Sequence, residues 1–255
     1  MAFADRLADV AGEVIRPYFR ERIDVADKGT RGFYDPVTEA DKRAEIAIRE
    51  MIAKEFPQDA ILGEEFGETT GTSGFRWVLD PVDGTRAFIA GQPLWGTLIG
   101  LEWQGSPVAG VLDQPFLRER FIGANGTAEL HAADGISPLR TRTCARLADA
   151  VICTTHPMLH FSAPERELYW RVERECRLSR YGGDCYAYAL VAMGFIDLVI
   201  ETHLKRWDIA AIVPIIIGAG GIITDWSGRP WRDGDNVIAA GDARVHAEAV
   251  KLLSA

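Results

Sequence analysis

The segment Asp80-Pro81-Val82-Asp83-Gly84-Thr85 sets two carboxylates three residues apart, each followed by a proline or a glycine, directly after the apolar run Trp77-Val78-Leu79. Pro81 fixes its own φ and restricts Asp80, while Gly84 permits a sharp turn or a close backbone approach. Such a turn can aim both acids into one small volume. Side by side they repel, and one tends to hold a proton unless a divalent cation joins them. Carboxylate and carbonyl oxygens are hard ligands suited to magnesium. Alone, the pattern fits a solvated Asp-Gly turn equally well. Gly63-Glu64-Glu65, at the end of an earlier β-type run, and Trp207-Asp208, opening a helix after a later one, change that balance. Taken singly, those are a solvated glutamate and a helix cap. Jointly, three strand or loop ends each bring a carboxylate.

Helices and strands must hold these ends together. Phe3, Leu7, Val10, Val14 and Tyr18 recur at three- and four-residue steps and predict a first helix, with Pro17 bending its last turn. Thr38-x-x-Asp41 opens a second helix whose apolar stripe is Ala44, Ile48, Met51 and Ile52. Short β-type runs then follow at residues 61–63, 77–79, 98–101, 108–112 and 120–122, with meander turns at Gln104-Gly105-Ser106 and Asn125-Gly126. From about residue 145 strands and helices alternate. Strands fall near 151–153, 178–180 and 198–201, and helices at about 164–174 and 184–193; an apolar helix starts at Trp207, two short strands follow, and a last helix starts at about Asp242. The fold class is therefore α/β, with an α+β part over residues 1–140 and an α/β part over 141–255.

A chain of 255 residues, 47% of them hydrophobic, has enough apolar material for one large domain or two subdomains sharing a core, which excludes general disorder. The apolar stretch Ile209–Ile223 is broken by Pro214 and glycines and falls short of the roughly 20 residues that span a bilayer. The opening Met-Ala-Phe-Ala-Asp-Arg-Leu lacks a secretory layout. Cys144, Cys153, Cys176 and Cys185 form no Cys-x-x-Cys pair, so reduced thiols in a cytoplasmic protein are expected. A net charge of -9 without a long basic run predicts neither a nucleic-acid nor a membrane partner.

Gly63-Glu64-Glu65, Asp80 to Thr85, and Trp207-Asp208-Ile209-Ala210-Ala211 followed by Gly218-Ala219-Gly220-Gly221 resemble, in order and spacing, the inositol monophosphatase family. The resemblance covers nearly the whole chain. It implies a layered αβαβα sandwich of the inositol monophosphatase and fructose bisphosphatase type, a homodimer, a small phosphorylated metabolite as substrate, and two or three magnesium ions. The metal ligands it implies are Glu64, Asp80, the carbonyl of Val82, Asp83 and Asp208, with Asp80 shared between ions. It pairs Thr85 with Asp41 and, helped by Glu64, gives that pair the attacking water. The amides of Gly84 and Thr85, opening a short helix, suit phosphate oxygens.

Within the family, Asp35 to Asp41, Asp83 to Phe88, Leu94 to Leu101 and Arg180 to Tyr186 resemble the histidinol-phosphate phosphatases. Arg180, Gly182, Gly183 and Asp184 are expected at the substrate. Asp184 falls where inositol phosphatases usually carry a small residue, and its charge would attract a protonated amine, although it could equally cap the helix it begins. Ile217 and Gly218 stand where family members have an acid, which suggests an apolar wall at the substrate. Trp95, Tyr181 and Tyr186 are candidates to line a pocket for an imidazole ring, and the five histidines show no ligand spacing. The expected activity is magnesium-dependent hydrolysis of histidinol phosphate. The alternatives are the same chemistry on inositol phosphate, a sugar bisphosphate or a nucleotide 3'-phosphate, or a catalytically silent magnesium-binding protein, which would not need the Asp41–Thr85 pair.

Overall fold

The computed structural model describes residues 2–28 and 36–254; Asp35, which opens the Asp35–Asp41 run, lies outside them. Helix α1 (Ala2–Ile15) buries Leu7, Ala8, Ala11 and Ile15 on one face. It stops short of Pro17, which sits in a separate 3₁₀ turn, Arg16–Tyr18. Strands β1 (Val25–Asp27) and β2 (Pro36–Thr38) pair antiparallel. Helix α2 (Glu39–Glu55) opens on a capping box in which Thr38 accepts from the Ala40 amide and Asp41 accepts from the Thr38 amide.

The chain then runs through β3 (Ala60–Gly63), β4 (Gly67–Thr69), β5 (Phe75–Asp83), the short α3 (Thr85–Ile89), and the meander β6 (Gly96–Trp103), β7 (Ser106–Gln114), β8 (Glu119–Ala124), β9 (Thr127–Ala132) and β10 (Gly135–Pro138). These strands form one eight-stranded sheet in the order β10-β9-β8-β7-β6-β5-β3-β4. The second half supplies β11 (Val151–Thr154), α4 (Pro157–His160), α5 (Ala163–Glu173), β12 (Leu178–Tyr181), α6 (Asp184–Ala192), β13 (Leu198–Glu201), α7 (Arg206–Ile209), α8 (Ile212–Gly218), β14 (Ile222–Thr224), β15 (Val237–Ala240) and α9 (Ala243–Leu253). Its five strands are ordered β12-β11-β13-β15-β14.

Three apolar clusters stack these elements into an αβαβα sandwich. Side chains alternate across the large sheet as the pleat requires. Ile99 and Val111 face α1 and α2, whereas Leu98 and Leu112 face α6, α8 and the small sheet. A third cluster joins the small sheet to α5 and α9. Among the described residues no helix is long and apolar enough to cross a membrane.

Glycine decides how α8 and the turn before it sit on the large sheet. Gly100 pairs with Gly110, and Gly110 with Gly123, across three neighbouring strands. A Cβ on Gly110 would lie 2.0 Å from the Ala211 carbonyl oxygen, and one on Gly123 would lie 2.3 Å from the Ile215 nitrogen. Backbone therefore rests directly on backbone. The single apolar helix expected from Trp207 is broken between Ile209 and Ile212. Pro214 has no N–H to offer the carbonyl of Ala210, so one continuous helix would lose a bond there.

Candidate active site

Asp80 and Asp83 would face opposite sides of a regular strand. The pairing of β5 with β6 shifts register between them, and the irregularity is pinned by the Thr97 hydroxyl, which donates to the Pro81 carbonyl at 2.8 Å. The Val82 amide donates to Asp80 Oδ1 at 3.1 Å. Both acids thereby turn to the same side and meet Asp208 of α7, with one carboxylate oxygen from each of the three lying within 4.8 Å of the others. The Asp208 carboxylate is held by the Lys205 amide at 2.7 Å, and Asp83 accepts from the Cys185 amide at 2.6 Å, which ties the start of α6 to β5. Gly84 adopts a left-handed φ of 85°, and a Cβ there would lie 2.9 Å from the Leu94 carbonyl oxygen, so the turn into α3 requires glycine.

Glu64 follows β3 and lines the same cleft. Its turn is held by buried Glu45, whose carboxylate takes the Glu65 amide at 2.8 Å and occupies the space a Cβ on Gly63 would need. Lys28 Nζ lies 2.9 Å from Glu64 Oε1 and 2.7 Å from Glu65 Oε1.

Burial pushes the carboxyls of Glu64, Asp80, Asp83 and Asp208 up. Glu64 rises to about 7 by burial, against the pull of Lys28. Asp80 stands well above the usual carboxylate range, first through burial and then through Glu64, Asp83, Asp208 and Asp41. Asp208 is raised likewise by burial and by Asp83, and Asp83 by burial. Converging, buried, mutually repelling oxygen donors fit a hard divalent cation, whose charge would favour their ionised forms.

Asp41 and Thr85, expected as a pair at the attacking water, have different hydrogen-bond partners in the structure. Thr85 Oγ1 donates to the Val82 carbonyl at 3.1 Å, while Asp41, 2% exposed, accepts from Thr38 within the capping box. Asp41 is raised to about 6 by burial and lies close enough to add to the repulsion at Asp80.

The cleft has a volume of about 580 Å³ and extends from these acids to a second wall containing Arg86, Thr155, Leu159, His160, Asp184, Tyr188 and Glu201. Asp184 faces into it, in a left-handed conformation with φ 42°, and makes no capping bond at the start of α6. Its carboxyl is raised well above the usual range by burial, by Asp83 and by Glu201, with Arg86 opposing. Glu201, the last residue of β13, is fully enclosed and accepts from the Thr155 amide at 2.6 Å, the Thr155 hydroxyl at 2.9 Å and the Thr154 hydroxyl at 3.2 Å. Burial moves it up to about 7.

Several expected substrate residues lie elsewhere. Arg180 is exposed on the edge strand β12, and neither it, Gly182 nor Gly183 lines the cleft. Gly182, with φ +77°, turns the chain back toward β11, and Gly183 packs on Ala187 and Cys153, so the cleft wall begins only at Asp184. Ile217 is 53% exposed on α8 and forms no substrate wall, and Gly218 is glycine because a Cβ would lie 2.3 Å from the Thr127 carbonyl oxygen. Trp95, Tyr181 and Tyr186 do not line the cleft; the tyrosine that does is Tyr188. Sequence reasoning also passed over Glu201, Arg86 and Lys28. Glu201 alone had a local signal, an acid closing an apolar strand.

The profile of the inositol monophosphatase family matches residues 1–254. The protein named bifunctional phosphatase IMPL2, chloroplastic, from Arabidopsis thaliana is 46% identical over 263 residues, covering 99% of this chain and 74% of that one. A histidinol-phosphatase from Chlorobaculum parvum is 35% identical, covering 95% and 92%. The solved structure of an inositol monophosphatase from Zymomonas mobilis superposes with a TM-score of 0.88 at 40% identity, covering 100% and 97%. The motifs that resembled one family thus converge in space, and the likeness extends over sequence and fold together: the chain belongs to the inositol monophosphatase family.

Proposed function

We propose that the protein is a magnesium-dependent phosphomonoesterase whose substrate is histidinol phosphate. The observation that carries the choice of substrate is the pair of carboxylates, half-buried Asp184 and buried Glu201, that line the same cleft as the acid triplet. A neutral polyol offers those acids only hydroxyls, whereas a protonated amine offers charge-assisted bonds of about 1.5–3 kcal/mol each. Ile217, expected as an apolar wall at the substrate, does not line the cleft, and the acid that family members have at 217 or 218 is missing from this sequence.

In this reading Glu64, Asp80, the Val82 carbonyl, Asp83 and Asp208 hold the metal. A divalent cation bound there supplies charge neutralisation for the phosphoryl group and acidifies water at neutral pH. Glu64, which lines the cleft beside the acid triplet, is placed to accept the proton of the attacking water. By analogy with the family Asp41 and Thr85, each bonded here to a different partner, position the attacking water, and the Gly84 and Thr85 amides hold phosphate oxygens. Asp184 and Glu201 orient the leaving alcohol by its amine. The protein is read as a homodimer by analogy with the family.

The test is phosphate release from histidinol phosphate, inositol monophosphate, a sugar bisphosphate and a nucleotide 3'-phosphate, with and without magnesium. A magnesium-dependent preference for histidinol phosphate supports the reading. Preference for a neutral or anionic alcohol keeps the phosphatase and rejects the amine.

A further inference from the structure

Tyr188 is 3% exposed and lines the cleft, and among the described residues its hydroxyl has no hydrogen-bond partner. An enclosed hydroxyl left unpaired costs about 1–3 kcal/mol, so its retention calls for an occupant that pairs it. It stands four residues after Asp184 on α6 and so on the same helix face. It lines the same cleft as Glu201, Asp83 and Asp208.

Resting on the amine reading above, we propose that Tyr188 is a specificity residue: its oxygen is the third acceptor in a receptor for a primary ammonium group, beside Asp184 and Glu201. An ammonium carries three N–H donors and no acceptor. Glu201 Oε1 already takes two bonds from Thr155, while Oε2 takes only the Thr154 hydroxyl and keeps a lone pair for the ligand. Asp184 supplies the second acceptor and the Tyr188 oxygen the third. The phenol hydrogen is then free to turn toward a neighbouring carboxylate, which strengthens the oxygen as an acceptor. A hydroxyl has one donor and a trimethylammonium none, so neither satisfies all three groups.

The experiment is steady-state kinetics of the magnesium-loaded protein and its Tyr188→Phe variant on histidinol phosphate, its N-trimethylated derivative and its deamino analogue. Phenylalanine keeps the ring and removes only an unpartnered hydroxyl, so the substrate-free melting temperature should not fall. The expected result is a rise of about tenfold in KM for histidinol phosphate, larger than the change in kcat and about fivefold or more beyond any change with the other two esters. An unchanged KM for histidinol phosphate, or an equal loss on all three esters, overturns the proposal. Wild-type protein that fails to distinguish the three esters removes the amine reading and Tyr188 together. Discrimination that survives Tyr188→Phe removes Tyr188 alone.

Discussion

The two walls of the cleft are assembled differently. Asp80, Asp83 and Asp208 converge because an irregular strand turns two of them to one side and a row of glycines lets the segment after α7 rest on the sheet backbone. Asp184, Tyr188 and Glu201 belong to the second half of the chain and reach the cleft from the start of α6 and the end of β13. Each residue of the first wall is fixed by backbone geometry that only particular residue types permit. The second wall is fixed by packing and by hydroxyl–carboxylate bonds, and it joins the first where the Cys185 amide binds Asp83. One wall suits a reaction shared across a family, the other a choice of substrate.

The largest effect expected from breaking this division is at the first wall. Asp83→Asn should cut turnover by about a thousandfold on every ester, with the circular dichroism spectrum unchanged. A general loss marks shared machinery, and retained activity would remove Asp83 from it. Gly110→Val should destabilise the protein by about 1–3 kcal/mol or prevent folding, because its Cβ would meet the Ala211 carbonyl oxygen at 2.0 Å. Urea denaturation reads this directly, and a neutral result would show that the helix can lift without cost.

Asp184→Asn sharpens the comparison from the other side. Asparagine tolerates the left-handed φ of 42° and removes only the charge. The KM for histidinol phosphate should rise about tenfold or more, while a deamino analogue shows a much smaller change. Equal losses would make Asp184 part of the general machinery.

The smallest effect expected is on stability against pH. Glu64 and Glu201 have folded values of about 7 against an ordinary 4.5. The folded state therefore binds more protons than the unfolded chain between those values, so metal-free stability should fall as pH rises from 4.5 toward 7, and the raised carboxyls of Asp80, Asp184 and Asp208 add to the fall. Magnesium should flatten the part due to the first wall and leave that of Glu201. Urea midpoints across this range, with and without magnesium, check it; a flat metal-free profile contradicts it.

The first wall was the more legible in the sequence. Pro81, Gly84 and Gly63 punctuate the chain beside its acids, so local spacing already pointed to Glu64, Asp80, Asp83 and Asp208. What spacing does not carry is side-chain pairing: Thr85 turned to the Val82 carbonyl, and Asp41 stayed with its own helix cap. The second wall was half read. Asp184 was identified, but its neighbours in sequence were taken for neighbours in the site, and the turn at Gly182 separates Arg180 from the cleft. Glu201, whose one local signal is the acid closing an apolar strand, reaches it through the pairing of β13, and Tyr188 through the rise of α6, which no local motif encodes. The split between α7 and α8 was legible at Pro214, whereas the glycine row acquires its meaning only from strand register.

The most direct test of the first wall is anomalous diffraction from crystals soaked in manganese as a magnesium substitute. The account predicts a peak bounded by Asp80, Asp83 and Asp208 that is lost in the Asp83→Asn variant. A well-ordered crystal with no peak at that triplet, or with manganese bound only elsewhere, would contradict it.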